Sequence, residues 1–387
     1  MDKLDTWQEA GFGLYLHWPF CAAKCPYCDF NSHVAAAIDQ RAWTDAYITE
    51  LRRSAGETQG RILSTVFFGG GTPSLMAPET VAAILDEIRR LWPMVNDPEI
   101  TLEANPTSVE AGRFAGYAQA GVTRLSMGVQ SLNDDDLRRL GRLHSVAEAR
   151  RAFDIARAQF SRVSFDLIYA RQGQSLDMWR SELREALDMA VDHLSLYQLT
   201  IEPGTAFGDR FAAGRLRDLP DDDIAADMYD ATQEICGEAG LPAYEVSNHA
   251  RPGSESRHNT IYWRGGDWVG IGPGAHGRIG TTSGRLATET ELNPGLWMQR
   301  VRGQGSGETA RALLSPTETA EEYLMMSLRL AEGTDMSRLA RLGHRLDEEI
   351  LQEFEEMGMV IRNENRLSCT QAGRLVLNEI LRRLMVG

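Results

Sequence analysis

Short β-rich runs alternate with helix-like segments along the first half of the chain, and nothing else in the sequence restricts its architecture as strongly. The runs are GLYLHW (13–18), TVFF (65–68), EITLE (99–103), RLSMGV (124–129), RVSFDLI (162–168) and HLSLYQLT (193–200). Helical patterns lie between them near 40–55, 78–92, 108–119, 146–158 and 175–189. Such alternation implies parallel strands joined by right-handed crossovers. The product is a barrel or an open doubly wound sheet, and the pattern does not separate the two. A chain of 387 residues, 43% hydrophobic and 25% charged, has a folded composition and room for one large α/β unit plus a smaller one.

From 204 to 310 the sequence reads as irregular and glycine-rich, and long loops in a compact protein are often functional. Pro220 with Asp221, Asp222 and Asp223 opens a helix there; its carboxylates favour the N-terminal end of the dipole and read as a cap, not a metal site. Beyond 311, three helices (SPTETAEEYLMMSLRLAEG, MSRLARLG, LDEEILQEFEEMG), a hairpin turning at Asn363–Glu364–Asn365 and a last helix, QAGRLVLNEILRRLM, describe a winged-helix-like unit. Winged helices often bind DNA, but the helix in the recognition position carries Asp347, Glu348, Glu349, Glu353, Glu355 and Glu356, which phosphate would repel. The chain has a net charge of −15, and its only lysines are Lys3 and Lys24, so no nucleic-acid partner is expected. MDKLDTWQEAGFG lacks the features of a secretory signal. No run of about 18 apolar residues is present, and a cytoplasmic, reducing setting is expected.

The loop after the first strand reads CAAKCPYCDF (21–30) and gathers Cys21, Cys25 and Cys28 at C-x3-C-x2-C spacing. It leaves the C-terminal end of a strand, where α/β barrels carry their active-site loops. Structural zinc takes four protein ligands, commonly from paired knuckles, and the sequence has no second knuckle. Cys236 and Cys369 stand alone and read as small buried apolar residues. Three thiolates on one short loop suit a cubane iron–sulfur cluster better, with one iron left for a non-protein ligand. GPGAHG (272–277) satisfies G-x-G-x-x-G after the apolar DWVGI, but RIGTTSGR cannot supply the helix a dinucleotide site needs, so a Rossmann site is rejected.

C-x3-C-x2-C with an aromatic, Tyr27, before its last cysteine resembles the radical S-adenosylmethionine superfamily. The resemblance implies a [4Fe-4S] cluster on Cys21, Cys25 and Cys28. S-adenosylmethionine would chelate the open iron through its amino and carboxylate groups, and one electron from the cluster would cleave its sulfonium. The superfamily's incomplete barrel of six strands decides for a partial (β/α)6 TIM-like barrel over 1–203. An extension over 204–310 and the winged-helix-like, mainly α domain over 311–387 complete the expected organisation. YLHWPFC, GGGTPS, TLEANP, SMGVQS, LGRLH, DLIY, LYQLTIEPGT and HNTIYW resemble, in order, segments of the coproporphyrinogen-dehydrogenase-like group. By this resemblance Gly70, Gly71 and Thr72 hold the methionine ammonium, Tyr15 meets the carboxylate and Tyr27 lies beside the adenine. Glu103, Gln130 and Asp166 belong to strand ends that point polar groups into the barrel mouth. Arg142 can pair with a carboxylate. These four, with Gln198, are the remaining cofactor contacts expected.

The dehydrogenases of this group carry a fourth cysteine two places after the third; here that place is Phe30. KCPYCDF, PGSESRHN (252–259) and HNTIYW (258–263) resemble instead the heme chaperone branch, the HemW proteins, whose motif is HNxxYW. That resemblance implies a carrier of heme, with no residue assigned to catalysis; an oxygen-independent coproporphyrinogen III dehydrogenase is the alternative. The implied partners are heme as cargo, apo-hemoproteins that include membrane-bound respiratory ones, and an electron donor for the cluster. A homodimer is allowed. Membrane association would be peripheral, at the inner membrane face. Heme iron accepts imidazole, so His258 is the expected ligand, with Tyr262 and Trp263 covering the porphyrin. His17, His249 and His276 are its rivals. DLIYARQGQ (166–174), where relatives tend to read DLIYGLPGQ, removes a glycine and a proline from the loop after the Asp166 strand.

Overall fold

The computed structural model describes residues 6–385; Lys3 lies outside them. Strands form at all six runs: β1 Phe12–Trp18, β2 Leu63–Gly70, β3 Met94–Ala104, β4 Arg124–Gln130, β5 Arg162–Tyr169 and β6 His193–Gln198. Each pairs in parallel with the one before it. The main intervening helices are α1 Gln40–Glu57, α2 Pro78–Leu91, α3 Phe114–Ala120, α4 Val146–Gln159 and α5 Leu176–Met189, with the shorter Ser108–Ala111 and Asp134–Arg139 before α3 and α4. In α4 the local sequence suffices to start the helix: Ser145 accepts from the Glu148 N–H while Glu148 reaches back to the Ser145 N–H, a capping box.

Strand alternation sorts side chains into two layers. Phe12, Leu14, Leu16 and Trp18 are buried, and Trp18 packs on Trp43 and Tyr47 of α1. The other face of β1 and β2, which carries Gly13, Tyr15, His17, Thr65, Phe67 and Gly69, turns into the barrel. There a Cβ on Gly13 would lie 2.6 Å from the Thr65 hydroxyl, and one on Gly69 2.8 Å from the Phe67 ring.

The barrel is partial. β7 Asn248–Ala250 lies antiparallel beyond β6, and β8 Asp267–Ile271 lies parallel beside β1. Antiparallel strands β9 His276–Thr281, β10 Gly284–Thr290 and β11 Glu308–Leu313 continue from β8, giving an 11-stranded sheet. The segment 204–310 is therefore not the irregular stretch expected. It supplies both edges of the sheet and four helices: the short Ala206–Ala212, α6 Asp222–Glu238, α7 Arg257–Trp263 and α8 Pro294–Gln304. Asp221 caps α6, accepting from the Ile224 N–H. GPGAHG is the turn from β8 to β9, with Gly272 and Gly274 at φ 104° and 77°, conformations that favour glycine.

In the departing loop Ala170 takes φ 56°, a left-handed conformation in which the relatives' glycine would be unstrained. Arg171 makes a buried hub there. Its guanidinium donates to Asp136 (2.9 Å), to Glu182 and to the Ile168 carbonyl.

The C-terminal unit comprises α9 Pro316–Ser327, β12 Thr334–Asp335, α10 Met336–Arg341, α11 Glu348–Glu356, β13 Val360–Asn363, β14 Arg366–Cys369 and, in place of the single last helix expected, α12 Gln371–Leu375 and α13 Leu377–Leu384, broken at Val376. It closes over its own core, including Leu324, Leu351, Leu367 and Ile380. Acidic side chains of α11 pair with Arg362 and Arg383. A buried charge cluster joins this unit to the barrel. Asp267 accepts from Thr6, Arg61 and the Gly280 N–H (2.9 Å), with Arg285 at 3.6 Å. Arg285 also meets Glu322 of α9 at 3.1 Å. Among the described residues no helix is long and apolar enough to cross a membrane.

Candidate functional site

Cys21, Cys25 and Cys28 are free, half-buried thiols on the loop that leaves β1. Burial raises the Cys21 and Cys28 thiols above their usual pKa, and the charge of neighbouring cysteines adds to it. Two donors reach the sulfurs: Arg142 Nη1 meets Cys25 Sγ at 3.3 Å, and Thr72 Oγ1 meets Cys21 Sγ at 3.5 Å, a contact that favours the Cys21 thiolate. Among the described residues no three His, Cys, Asp or Glu side chains converge as a single ion would require. A cubane makes no such demand, because each thiolate takes its own iron. The donor set fits a cluster held by three sulfurs.

GGGTPS continues from the end of β2 beside this loop. The N–H groups of Gly70, Gly71 and Thr72 are engaged by Glu103 Oε2 (3.2 Å), the Trp18 carbonyl (2.7 Å) and the Phe20 carbonyl (2.8 Å). What the loop can offer a ligand is therefore carbonyl oxygen, the partner an ammonium needs. A Cβ on Gly71 would lie 2.7 Å from the Phe20 carbonyl oxygen, so this approach requires glycine. Arg142 Nη2 donates to the Gly128 carbonyl (2.7 Å) and to Asn105 Oδ1, and Asn105 Nδ2 donates to Thr72 Oγ1 (3.2 Å). Asn105 thus couples the glycine loop to Arg142. Sequence reasoning missed it, although its place directly after β3, in TLEANP, was a usable signal.

Residues 15–186 match the radical SAM superfamily, and residues 314–376 match the HemN C-terminal domain. The chain is 38% identical to the radical S-adenosyl methionine domain-containing protein 1, mitochondrial, of Bos taurus, over 96% of this chain and 87% of that protein. It is 37% identical to the heme chaperone HemW of Escherichia coli, over 95% of this chain and 96% of that one. The chain belongs to the radical SAM superfamily. Within it, the chain groups with the HemW proteins. The solved structure of coproporphyrinogen III oxidase (HemN) from Escherichia coli, 23% identical, has the same fold: the TM-score is 0.81 over 96% of this chain and 89% of that one. Membership in the radical SAM superfamily implies a [4Fe-4S] cluster and S-adenosylmethionine, which the three thiols and the carbonyl-lined loop suit.

The structure brings most of the expected radical SAM residues to one end of the barrel. Tyr15 bonds its hydroxyl to His17 Nδ1 (3.0 Å), and His17 Nε2 bonds the Asn31 carbonyl (2.9 Å). Tyr27 packs on Phe207, with ring centroids 6.4 Å apart. Gln130 ends β4 at φ 72°, the kind of backbone strain that gathers at functional sites. Gln198 does not join them. It is exposed and aligned with Tyr169, which stacks on Trp179 of α5 on the helix side of the sheet. The inward residue at this level is Tyr197, which lies within reach of the Asp166 and Glu103 charges.

Two carboxylates share the barrel mouth. Burial, and then the charge of Asp166, push Glu103 up to about 8. Burial pushes Asp166 up to about 6 against the pull of Ser195 and Arg142. Both folded-state values lie above the ordinary carboxylate range, so the folded protein binds these protons more tightly than the unfolded chain. Their stabilising contribution is complete below the unfolded values and is lost as pH rises through about 6 and then about 8. The cofactor-free protein is therefore expected to melt progressively lower between about pH 5 and about pH 9. Glu103→Gln should flatten the upper part of that slope, as measured by thermal unfolding at fixed ionic strength.

HNTIYW folds as α7 and caps the opposite end of the barrel. His258 is 1% exposed. Its Nδ1 meets the Thr65 hydroxyl at 2.7 Å, its Nε2 meets the Tyr262 hydroxyl at 2.6 Å, and its backbone N–H donates to Glu99 (3.0 Å). Burial lowers its pKa to about 3, so the ring is neutral. Both ring nitrogens are engaged, and roughly 15 Å of strand separates them from the cysteine end. This corrects the expectation that His258, with Tyr262 and Trp263, lies open to a heme. Of the rivals, His17 and His249 are buried and His276 is exposed. His33, which follows the cluster loop and is half-buried, carries no motif and was overlooked.

Proposed function

We propose that this chain is a heme chaperone, binding heme and delivering it to apo-hemoproteins, respiratory ones among them, at the cytoplasmic face of the membrane. The observation that carries this reading is Phe30. At the place of the dehydrogenases' fourth cysteine, the loop presents an apolar ring that is 59% exposed. A redox-active thiol is replaced by surface suited to a porphyrin. The likeness to heme chaperone HemW over nearly the full length of both chains supports the same reading.

The cluster, when bound, supplies an electron and an open iron for S-adenosylmethionine. The carbonyls of Gly70 and Gly71 with Thr72 would hold the ammonium, and Tyr15 and Arg142 would face the carboxylate. Tyr27 would lie along the adenine. Glu103, Gln130 and Asp166 would line the mouth, and an arriving cation would draw the proton from Glu103. The test is a hemin titration of the cluster-loaded protein, followed by mixing with an apo-hemoprotein. Stoichiometric growth of a Soret band and its passage to the acceptor are expected; a flat titration would count against the proposal. If the loaded protein instead converted coproporphyrinogen III to protoporphyrinogen under anaerobic conditions, the dehydrogenase reading would replace it.

A further inference from the structure

The heme ligand can be sought by elimination among the 8 histidines. His17, His144, His193, His249 and His258 are buried. His344 belongs to the C-terminal unit and is tied to the Leu384 carbonyl (3.3 Å). His33 and His276 remain, both close enough to His17 for their charges to reach it.

Asn31 distinguishes the two. Its Nδ2 donates to the Pro273 carbonyl (3.0 Å) and to the Leu292 carbonyl (2.9 Å). Two carbonyl partners fix the orientation of the amide, so it is Oδ1 that faces His33 Nε2 at 3.1 Å. An amide oxygen only accepts, so Nε2 carries the ring hydrogen and Nδ1 carries the lone pair. His33 Nδ1 makes no hydrogen bond among the described residues. One ring nitrogen held by a carbonyl oxygen with the other left free is the arrangement that orients metal-ligating histidines. His276, by contrast, is 57% exposed, and its nearest carboxylate is Glu289 at 3.9 Å, beyond hydrogen-bond reach.

The surroundings suit an iron porphyrin that bears two carboxylates. Phe30 precedes Asn31 and is 59% exposed; Leu292, pinned to Asn31 through its carbonyl, is 60% exposed. Lys24, one of only two lysines in a chain of net charge −15, lies near enough for its charge to act on the His33 ring.

We propose that the segment following the cluster cysteines is the heme-docking surface, with His33 Nδ1 as axial ligand, Phe30 and Leu292 against the porphyrin and Lys24 pairing with a propionate. This rests on the chaperone reading above. It places the cargo beside the cluster loop, not at the HNTIYW end of the barrel.

The test is hemin titration of the full-length protein, with and without reconstituted cluster, followed at the Soret band. His33→Ala is expected to lose the imidazole-ligated spectrum and at least about tenfold in affinity, or about 1.4 kcal/mol. His276→Ala should behave as wild type. Free imidazole should restore the spectrum in His33→Gly, and His33→Cys should bind hemin with a thiolate-ligated spectrum, which separates loss of the ligand from loss of the fold. If wild type binds hemin and His33→Ala binds it with the same spectrum and affinity, the assignment is overturned. If His276→Ala alone loses the spectrum, it is overturned in favour of that residue. Wild-type protein that takes up no hemin overturns the chaperone reading, and this assignment with it.

Discussion

Cys25→Ala is expected to leave the protein almost without iron after anaerobic reconstitution, with about four irons per chain falling below about one. Each of the three thiols would hold a different iron of the cluster, and the loop holds no spare sulfur to take its place. Cys25 is the most telling of the three because Arg142 donates to it and also holds Asn105 and the Gly128 carbonyl. Its loss would remove a sulfur and leave the guanidinium to the Gly128 carbonyl and Asn105. Cys236→Ala and Cys369→Ala are expected to keep full iron. Cys236 is wholly buried in α6 and Cys369 sits in the hairpin of the C-terminal unit, with thiols pushed up by burial to about 12 and about 11. Phe30→Cys should not raise the iron content, because three sulfurs already suffice. Iron and acid-labile sulfide analysis, with the visible charge-transfer absorption, reads all of these; a Cys25→Ala protein with full iron would sink the account of the loop.

Asp267→Ala is expected to cost about 3–5 kcal/mol, the penalty for leaving buried charge without its partner. The carboxylate has no exposure and is met by two guanidiniums, one hydroxyl and one backbone N–H. Arg61 and Arg285 would remain in place, their side chains 9% and 4% exposed. Arg285 keeps Glu322 and the Gly266 carbonyl (2.9 Å), which moderates the loss; Arg61 keeps only the Gly280 carbonyl. In a thermal melt of a 387-residue chain this corresponds to a fall of about 5 °C. A melting temperature within about 2 °C of wild type would mean that the cluster contributes little net stability.

The six parallel strands and their helices were legible because each announces itself locally, through an alternating apolar run or a cap such as Ser145. The extension from 204 to 310 was not. DWVGI is visible as an apolar run, but its partner is β1, some 250 residues earlier, and no local signal carries that pairing. The three cysteines and the glycine loop were legible because their chemistry depends on spacing within a few residues. The histidines were not, because a ligand and a buried structural ring are the same residue type, and only burial and hydrogen bonding tell them apart. His258 lies in a motif yet has both nitrogens bonded, whereas His33 lies in none and has one without a partner among the described residues. Gln198 was misread by one position, since side-chain direction reverses at every residue of a strand.

The rings of Tyr15, Phe67 and His258 stand one upon another through the barrel, with centroids 6.2 and 5.0 Å apart. The histidine of HNTIYW is thus the footing of a column whose capital is the tyrosine beside the glycine loop. A change at that footing would tilt the tyrosine without touching any ligand, so a cofactor defect caused at position 258 would be one of posture, felt at the far end of the stack.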